Sequence, residues 1–247
     1  MLYIVATPIG NLKDITLRAL EILKSVDLIL CEDTRVSRKL FDHYEIKNKK
    51  LIAYHQHTDA KKIGEIIDLI KNNNVALITD AGTPGIADPG NKLINEIVGA
   101  QNFVPIQIIP IPGPSALITA LSISGLPTDK FIFKGFVPHK KGRETFLREV
   151  LEAKETVVFY ESCHRMIKCL EQFVALCHSR ESGNPENNNW IPDQVGDDKK
   201  EKHFVVCREL TKKFETIYRG TAEEILEQIK KEFPRETPKG EFVVVAH

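Results

Sequence analysis

The chain has 247 residues, of which 42% are hydrophobic and 28% charged, a balance typical of a folded globular protein. The 34 Lys and Arg residues equal the 34 Asp and Glu residues in number, so a nucleic-acid partner would have to be held by a local basic patch rather than by net charge. The sequence shows no apolar run of the roughly 20 residues that span a membrane and no signal peptide, so we expect a cytoplasmic protein without membrane association.

The amino-terminal half alternates short apolar strands with amphipathic helices. Strands are predicted at 2–6, 27–31, 51–54, 75–79 and 106–111. Asp14 is the predicted cap of the first helix. The helix at 59–71 carries Ile63, Ile66 and Ile70 on one face. This alternation predicts a mainly parallel sheet covered on both faces, with its ligand-binding loops at the carboxyl ends of the strands.

A stretch rich in glycine and proline, residues 79–90, follows the strand at 75–79. Its twelve residues include three glycines and two prolines, which fix an unusual backbone path. Asp88 is a natural helix N-cap and Pro89 a natural first helical residue. A strand-to-helix turn of this kind presents backbone N–H groups to a small polar ligand, although a purely structural turn is the alternative interpretation.

The pattern changes after residues 110–114. Helices are predicted at 115–125, 165–176 and 221–233, and strands at 130–138, 156–160, 204–207, 215–218 and 242–246. Strands that follow one another directly imply an antiparallel component. We therefore predict a two-domain α/β protein, with a mainly parallel sheet in residues 1–113 and a mixed sheet in 114–247. Residues 178–202 are polar and Asn-rich, and we predict a disordered insertion there without a function.

Polar turns follow most of the predicted strands. They lie at residues 6–11, 32–35, 79–90, 112–116, 159–165 and 208–212. The sequence lacks the Gly-rich signatures of nicotinamide and nucleoside-triphosphate sites and the nucleophile elbow of hydrolases. The five cysteines form no Cys-x-x-Cys pair, and His55 with His57 is too small a set for a metal site, so we predict neither disulfides nor a metal.

The turns share a set of short motifs in a fixed order. These are ATPIGNL, EDTR, DAGTP followed by DPG, PGPSA, KGFVPHK, FYES-HR and RELTK. The set resembles the tetrapyrrole methylase superfamily, and most closely its small-subunit ribosomal RNA methyltransferases, over nearly the whole chain except 178–202. The resemblance implies that family's two-domain fold and S-adenosylmethionine as cofactor. It also implies 2′-O-methylation of a cytidine in the decoding region of 16S rRNA, as free RNA or in the 30S subunit, by a homodimer.

The motifs give candidate site residues in three roles. Cofactor contacts are expected from Pro8, Asp80, Ala81, Gly82, Thr83, Pro84, Asp88, Ser115, Ala116 and Tyr160. Catalytic roles as base, orienting partner or hydroxyl-polarising group are expected from Glu32, Asp33, Arg35, Glu161 and Lys212. RNA contacts are expected from Lys140, Lys141, Arg143 and Arg165. The simpler alternatives are a helix N-cap with a local ion pair at 32–35, a solvated strand end at 208–212 and ordinary loop solvation at 139–143.

Two other functions remain open from the sequence. A carbon methylase of a tetrapyrrole would share the fold and the methyl donor, but the motifs at 32–35 and 159–162 argue against it. A non-catalytic RNA-binding assembly protein would need no methyl donor, whereas the intact Gly-rich turns favour ligand binding.

Overall fold

The structure, a computed structural model, describes residues 1–99, 106–181, 201–234 and 237–247, without the side chains of 179–181. It divides into two compact units, Met1–Ala116 and Leu117–His247. The sequence had suggested a boundary after residue 113. Most of the predicted insertion, residues 182–200, lies outside the described residues. Within the described ranges, no helix combines the length and the apolar character needed to cross a bilayer.

The amino-terminal unit is built on a five-stranded sheet. Its strands are β1 (Leu2–Val5), β2 (Leu28–Cys31), β3 (Lys50–Ala53), β4 (Val75–Leu77) and β5 (Ile108–Ile111). They lie in the order β3-β2-β4-β1-β5, and every pairing is parallel. All five strands therefore end at one edge of the sheet, which we call the carboxyl edge. β4 is the central strand.

Helices cover both faces of this sheet. They are α1 (Leu17–Ser25), α2 (Thr34–His43), α3 (Ala60–Asn72) and α4 (Gly90–Gly99). Strand residues such as Ile29 and Ala76 pack with α1 and α2, whereas Leu30 and Leu77 pack with α3 and α4. The alternation follows from the two-residue period of a strand and confirms the predicted doubly covered parallel sheet.

The start of α1 differs from the prediction. Thr16, not Asp14, is the N-cap, because its hydroxyl accepts a hydrogen bond from the Ala19 N–H at 3.1 Å. Asp14 instead ends a short 3₁₀ turn that begins at Leu12 and is capped by Asn11. Two capping residues lie close together here, and the sequence alone does not show which of them begins the α-helix.

The carboxyl-terminal unit contains a second five-stranded sheet. Its strands are β6 (Phe131–Phe136), β7 (Thr156–Ser162), β8 (Phe204–Arg208), β9 (Thr216–Gly220) and β10 (Glu241–Ala246). They lie in the order β6-β7-β10-β8-β9. β6 and β7 are parallel and the other pairings antiparallel, so the predicted mixed sheet is confirmed. The helices are α5 (Ala116–Ser124), α6 (Arg143–Glu152), α7 (Cys163–Glu181) and α8 (Ala222–Glu232).

Two features of this unit were not predicted. α6 begins where the sequence suggested a basic loop, and it buries Phe146, Leu147 and Val150 in the core. β6 contains a bulge, because Phe133 pairs with Val158 whereas Phe136 pairs with Tyr160. The extra residue places Phe133 and Phe136 on the same face of the sheet.

Candidate functional site at the carboxyl edge

Residues 79–90, which we call the glycine loop, leave the sheet from its central strand. Gly82 has φ +85°, a conformation that residues with a side chain rarely adopt. A Cβ at position 90 would lie 2.8 Å from Asp88 Oδ1 and 3.0 Å from the Gly85 nitrogen. Glycine is therefore required at position 82 by the backbone conformation and at position 90 by the close approach of neighbouring atoms.

The turn after β1 is bonded directly to the glycine loop. Thr7 and Gly82 exchange two backbone hydrogen bonds, at 2.9 and 3.0 Å. The Thr7 hydroxyl, in a residue only 2% exposed, donates to the Thr79 carbonyl at 3.0 Å. A Cβ at position 82 would lie 3.5 Å from Ile9 Cγ2, and Pro8 is buried. The loop is thus held along its first half by the neighbouring strand end.

The turns after β2 and β5 bind the same loop from either side. Asp33 donates its backbone N–H to Asp80 Oδ1 at 3.1 Å, and the Thr79 hydroxyl donates to Glu32 Oε2 at 3.1 Å. The Thr83 hydroxyl donates to the Pro114 carbonyl at 3.1 Å. The predicted cofactor residues Ser115 and Ala116 follow at once and are half-buried.

The strand β3 supplies the fourth link. Tyr54, which is 2% exposed, donates its hydroxyl to the Pro89 carbonyl at 3.2 Å. Lys92 in α4 donates to the Thr58 carbonyl at 3.4 Å. The glycine loop and the start of α4 are therefore bonded to the chain that follows each of the other four strands. The sequence singled out neither Thr7 nor Tyr54; the only local signal is their position just after a strand.

Asp88 closes the glycine loop on itself. Both of its carboxylate oxygens accept the Gly85 N–H at 2.9 Å, and Oδ1 also accepts the Gly90 N–H at 2.6 Å. Burial raises the pKa of Asp88, and the two backbone hydrogen bonds oppose the increase. α4 begins at Gly90, one residue later than predicted. The carboxylate shapes the loop, so a direct contact with a cofactor remains only a prediction for this residue.

Two carboxylates at the carboxyl edge, Asp33 and Asp80, have pKa values shifted in opposite directions. Hydrogen bonds from Arg35, at 2.6 Å to Oδ2, lower the pKa of Asp33 to about 2. Burial raises the pKa of Asp80, and the charges of Glu32 and Asp33 raise it further. Across the described part of the chain, no group of three or more His, Cys, Asp and Glu side chains is arranged to hold a metal ion.

The helix-cap interpretation of 32–35 is correct as far as Asp33 is concerned. Asp33 caps α2 by accepting the Arg35 N–H at 2.8 Å, and the same side chain forms the ion pair with the Arg35 guanidinium. Arg35 is 86% exposed, which leaves its outer face open to solvent. A surface pair of this kind contributes little to stability and does not exclude a functional role for Arg35.

The glycine loop contains backbone N–H groups that have no acceptor among the described residues. The N–H groups of Gly82 and Gly85 are used within the unit. No acceptor for those of Ala81 and Thr83 lies among the described residues, and Pro84 has no N–H. Two such donors beside the half-buried Asp80 carboxylate suit a ligand that carries both an anionic and a cationic group.

In the carboxyl-terminal unit, Glu161 is the centre of a buried ion triad. Its side chain is fully buried and pairs with Arg143 at 2.8 Å and with Arg165 at 2.7 Å. The Ser162 N–H also donates to its Oε1 at 2.7 Å. A carboxylate enclosed in this way is held by its partners, so the structure gives no support to its predicted role as a base.

The two arginines of the triad hold the chain that follows β6. Arg143 donates to the Pro138 carbonyl at 3.2 Å, and Arg165 donates to the Val137 carbonyl at 3.1 Å. Arg143 is 6% exposed, so the prediction that it shares an exposed basic patch with Lys140 and Lys141 is corrected. As the first residue of α6, it turns inward to Glu161, whereas both lysines are exposed.

Tyr160 lies in an aromatic group on the other face of β7. Its ring is 5.1 Å from that of Phe133 and 5.2 Å from that of Phe136, both edge-on. Burial raises the pKa of the Tyr160 phenol, and a backbone hydrogen bond from Leu117 opposes the increase. The bulge in β6 is what brings Phe136 to this ring.

The turn at 208–212 is fixed by charge. Lys212 binds Glu209 at 3.0 Å and Glu241 at 2.8 Å. Burial alone would lower the pKa of Lys212, but the hydrogen bonds to Glu241 and Glu209 outweigh it and raise the pKa. Glu209 and Thr211 both have positive φ, at 52° and 65°. Strain of this kind persists only where the surroundings impose it. This turn is not the solvated strand end of the alternative interpretation.

A comparison with protein families identifies the family of the chain. A family model for Tetrapyrrole (Corrin/Porphyrin) Methylases matches residues 1–226. The chain belongs to the tetrapyrrole methylase family. The family predicted from the motifs is therefore confirmed, and S-adenosylmethionine is the cofactor of this methylase.

Two relatives agree with this assignment, and one solved structure shares the fold. A Hydrogenobaculum sp. (strain Y04AAS1) protein named Ribosomal RNA small subunit methyltransferase I is 43% identical over 246 residues, covering 99% of this chain and 94% of the relative. The protein of that name from Escherichia coli O157:H7 is 42% identical, with 99% and 76% covered. A crystal structure of diphthine synthase matches with a TM-score of 0.68 at 15% identity, over 99% of this chain and 88% of the other, which confirms the fold.

Replacing Glu161 by glutamine tests the triad. The variant leaves the buried Arg143 guanidinium and the half-buried Arg165 guanidinium without their counter-charge, so we expect the free energy of unfolding to fall by about 3–5 kcal/mol. The matched control is Glu144→Gln on α6, which breaks a surface pair with Arg148 and costs about 0.5 kcal/mol or less. Urea denaturation measures both, and equal midpoints for the two variants would contradict the buried triad.

Replacing Asp80 by asparagine tests the charge at the glycine loop. Asparagine keeps an acceptor for the Asp33 N–H but carries no charge. Because the pKa of Asp80 is raised in the folded state, the wild type loses stability as pH rises above the ordinary value of 3.8, and the variant does not. We expect the variant to have the higher melting temperature at pH 7 and the difference to vanish at pH 3.

Scanning calorimetry at both pH values measures this difference, with the exposed Asp129→Asn as the control. A D80N variant no more stable than the wild type at pH 7 would show that the ionised Asp80 carboxylate does not lower the stability of the folded state.

Proposed function

We propose that this protein transfers a methyl group from S-adenosylmethionine to the ribose 2′-oxygen of a cytidine in the decoding region of 16S rRNA. The observation that carries the proposal is the similarity, at 43% and 42% identity over 99% of the chain, to proteins named Ribosomal RNA small subunit methyltransferase I. The carboxyl edge supports the proposal, because hydrogen-bonded polar turns surround the glycine loop, whose Ala81 and Thr83 N–H groups are available to a ligand.

The glycine loop is the proposed site for the amino-acid end of the cofactor. The N–H groups of Ala81 and Thr83 suit its carboxylate, and the half-buried Asp80 carboxylate suits its ammonium group. Among the other predicted contacts of this unit, Gly82 and Pro84 belong to the glycine loop. Pro8, Ser115 and Ala116 lie in the neighbouring turns that are bonded to it. Tyr160, which belongs to the carboxyl-terminal unit, remains a predicted contact. When bound, S-adenosylmethionine supplies an electrophilic methyl group on a sulfonium.

The chain contributes mainly by holding the two reactants. Alignment of the reacting groups lowers the activation barrier by about 7–11 kcal/mol. A general base contributes less, an increase in rate of roughly 10²–10⁴-fold. Of the predicted bases, Asp33 is a poor proton acceptor because its pKa is about 2, and Glu161 is enclosed in the triad. Glu32 is the remaining carboxylate for that role. Lys212, held by two carboxylates, fixes its turn.

Exposed positive charges in each unit are the proposed RNA contacts. Lys140 and Lys141 extend from the loop between β6 and α6, which the triad anchors through Val137 and Pro138. Arg35 is exposed at the carboxyl edge. Phosphate contacts from such side chains position an RNA without requiring net positive charge. Arg143 and Arg165 then act behind the patch by supporting its backbone.

A cytoplasmic homodimer is part of the proposal. The edge strand β6 exposes Phe131, Ile132 and Phe136, at 39%, 43% and 57% of their surface. An apolar strand at the edge of a sheet is normally covered, and a second copy of the chain is the proposed cover.

The position of the methyl group tests the function directly. A 2′-O-methyl group removes the nucleophile that cleaves RNA in alkali, so the bond that follows the modified nucleotide resists hydrolysis. After incubation of 30S subunits with methyl-labelled cofactor, we expect the label in an alkali-resistant dinucleotide that begins with cytidine. Label in mononucleotides would indicate base methylation and contradict the proposal. Gly82→Val, which cannot adopt φ +85° without strain, serves as the inactive control.

A further inference from the structure

The turn at residues 55–58, which we call the histidine turn, extends the carboxyl edge beyond the sites already described. β3 is the edge strand beside β2, with Ala53 opposite Cys31. The Tyr54 N–H donates to the Cys31 carbonyl at 2.8 Å, so the pairing continues one residue past the strand. His55 therefore leaves the sheet beside the turn that carries Asp33.

The backbone of the histidine turn is fixed. The His55 N–H donates to Thr58 Oγ1 at 3.0 Å, and the Thr58 N–H donates to the His55 carbonyl at 2.9 Å. Thr58 is 4% exposed and so anchors the turn in the unit. The three residues before it, His55, Gln56 and His57, are all exposed. The turn presents polar side chains to solvent from a rigid base.

The histidine turn is also tied to the glycine loop. Tyr54, immediately before the turn, bonds to the Pro89 carbonyl, and Lys92 of α4 bonds to the Thr58 carbonyl. The turn therefore has a fixed position relative to the loop that we propose holds the cofactor. A group bound at the turn would keep a defined position relative to the methyl donor.

The chemistry of the side chains indicates the ligand. The imidazole rings of His55 and His57 lie 6.2 Å apart, and the Gln56 amide nitrogen lies 3.2 Å from His57 Nε2. Imidazoles stack on unpaired bases, and both imidazoles and amides hydrogen-bond to base edges, ribose and phosphate. A metal ion would need further ligands, and the described residues provide no group of three. The turn carries no apolar side chain for a protein partner.

We propose that the histidine turn binds the single-stranded RNA segment that carries the target cytidine, with His55 and His57 in contact with the nucleotide. This inference rests on the proposed function and adds the surface that presents the acceptor to the cofactor. The two histidines are binding residues, and their loss should affect the use of RNA rather than the affinity for S-adenosylmethionine.

The double variant His55→Ala with His57→Ala tests this assignment. With 30S subunits as substrate, we expect KM for the subunits to rise about tenfold or more, since aromatic contacts to a base are worth roughly that much. The dissociation constant for S-adenosylmethionine and the melting temperature should match the wild type. The matched control is His43→Ala, an exposed histidine at the last position of α2, and it should leave KM unchanged.

Two outcomes would overturn the assignment. One is a double variant whose KM and kcat stay within about twofold of the wild type. The other is a double variant whose affinity for S-adenosylmethionine falls by the same factor as KM for the 30S subunits rises. Nuclear magnetic resonance of the wild type with a single-stranded RNA oligonucleotide gives a check that needs neither variant nor turnover. We expect the Hε1 signals of His55 and His57 to shift while that of His43 does not, and unshifted signals would also reject it. A wild type that binds the oligonucleotide at these histidines but transfers no methyl group to 30S subunits would contradict the proposed function and leave the histidine assignment standing.

Discussion

The glycine loop is the constraint on which the amino-terminal unit depends. It leaves the central strand β4, and hydrogen bonds join it and the start of α4 to the chain after β1, β2, β3 and β5. A parallel sheet makes this arrangement available, because all its strands end at one edge and a loop from the middle strand reaches its neighbours. Asp88 adds an internal closure. Hydrogen bonds to several turns therefore fix the positive φ of Gly82. They also hold the N–H groups of Ala81 and Thr83 in place before any ligand binds.

Charge has different uses in the two units. In the carboxyl-terminal unit, Glu161 and two arginines form a buried triad, which costs desolvation and in return fixes the chain at Val137 and Pro138. At the carboxyl edge, Asp80 remains half-buried and close to other carboxylates, with its pKa raised. A charge that neighbours already neutralise serves structure, whereas one kept at an energetic cost is a candidate for a ligand.

Local patterns in the sequence predicted the parts of this structure that depend on local chemistry. The spacing of Ile63, Ile66 and Ile70 predicted α3, and alternation of strands with helices predicted the parallel sheet. The direction of a charged side chain was not predictable in this way. Glu161 lies in β7 because that strand runs to Ser162, and Arg143 turns inward because α6 begins there. The sequence suggested a base and a loop cation at these positions. The pairing of Thr7 with Thr79 links residues 72 positions apart, and no local pattern carries that information.

The most direct test of this arrangement is a crystal structure of the protein with S-adenosylhomocysteine, which keeps the amino-acid end of the cofactor and lacks the transferable methyl group. We expect its carboxylate within hydrogen-bond distance of the Ala81 or Thr83 N–H, with the backbone of residues 79–90 in the conformation described here. A product molecule bound away from these N–H groups, or a glycine loop that refolds to receive it, would contradict a preformed cofactor site at the end of the central strand.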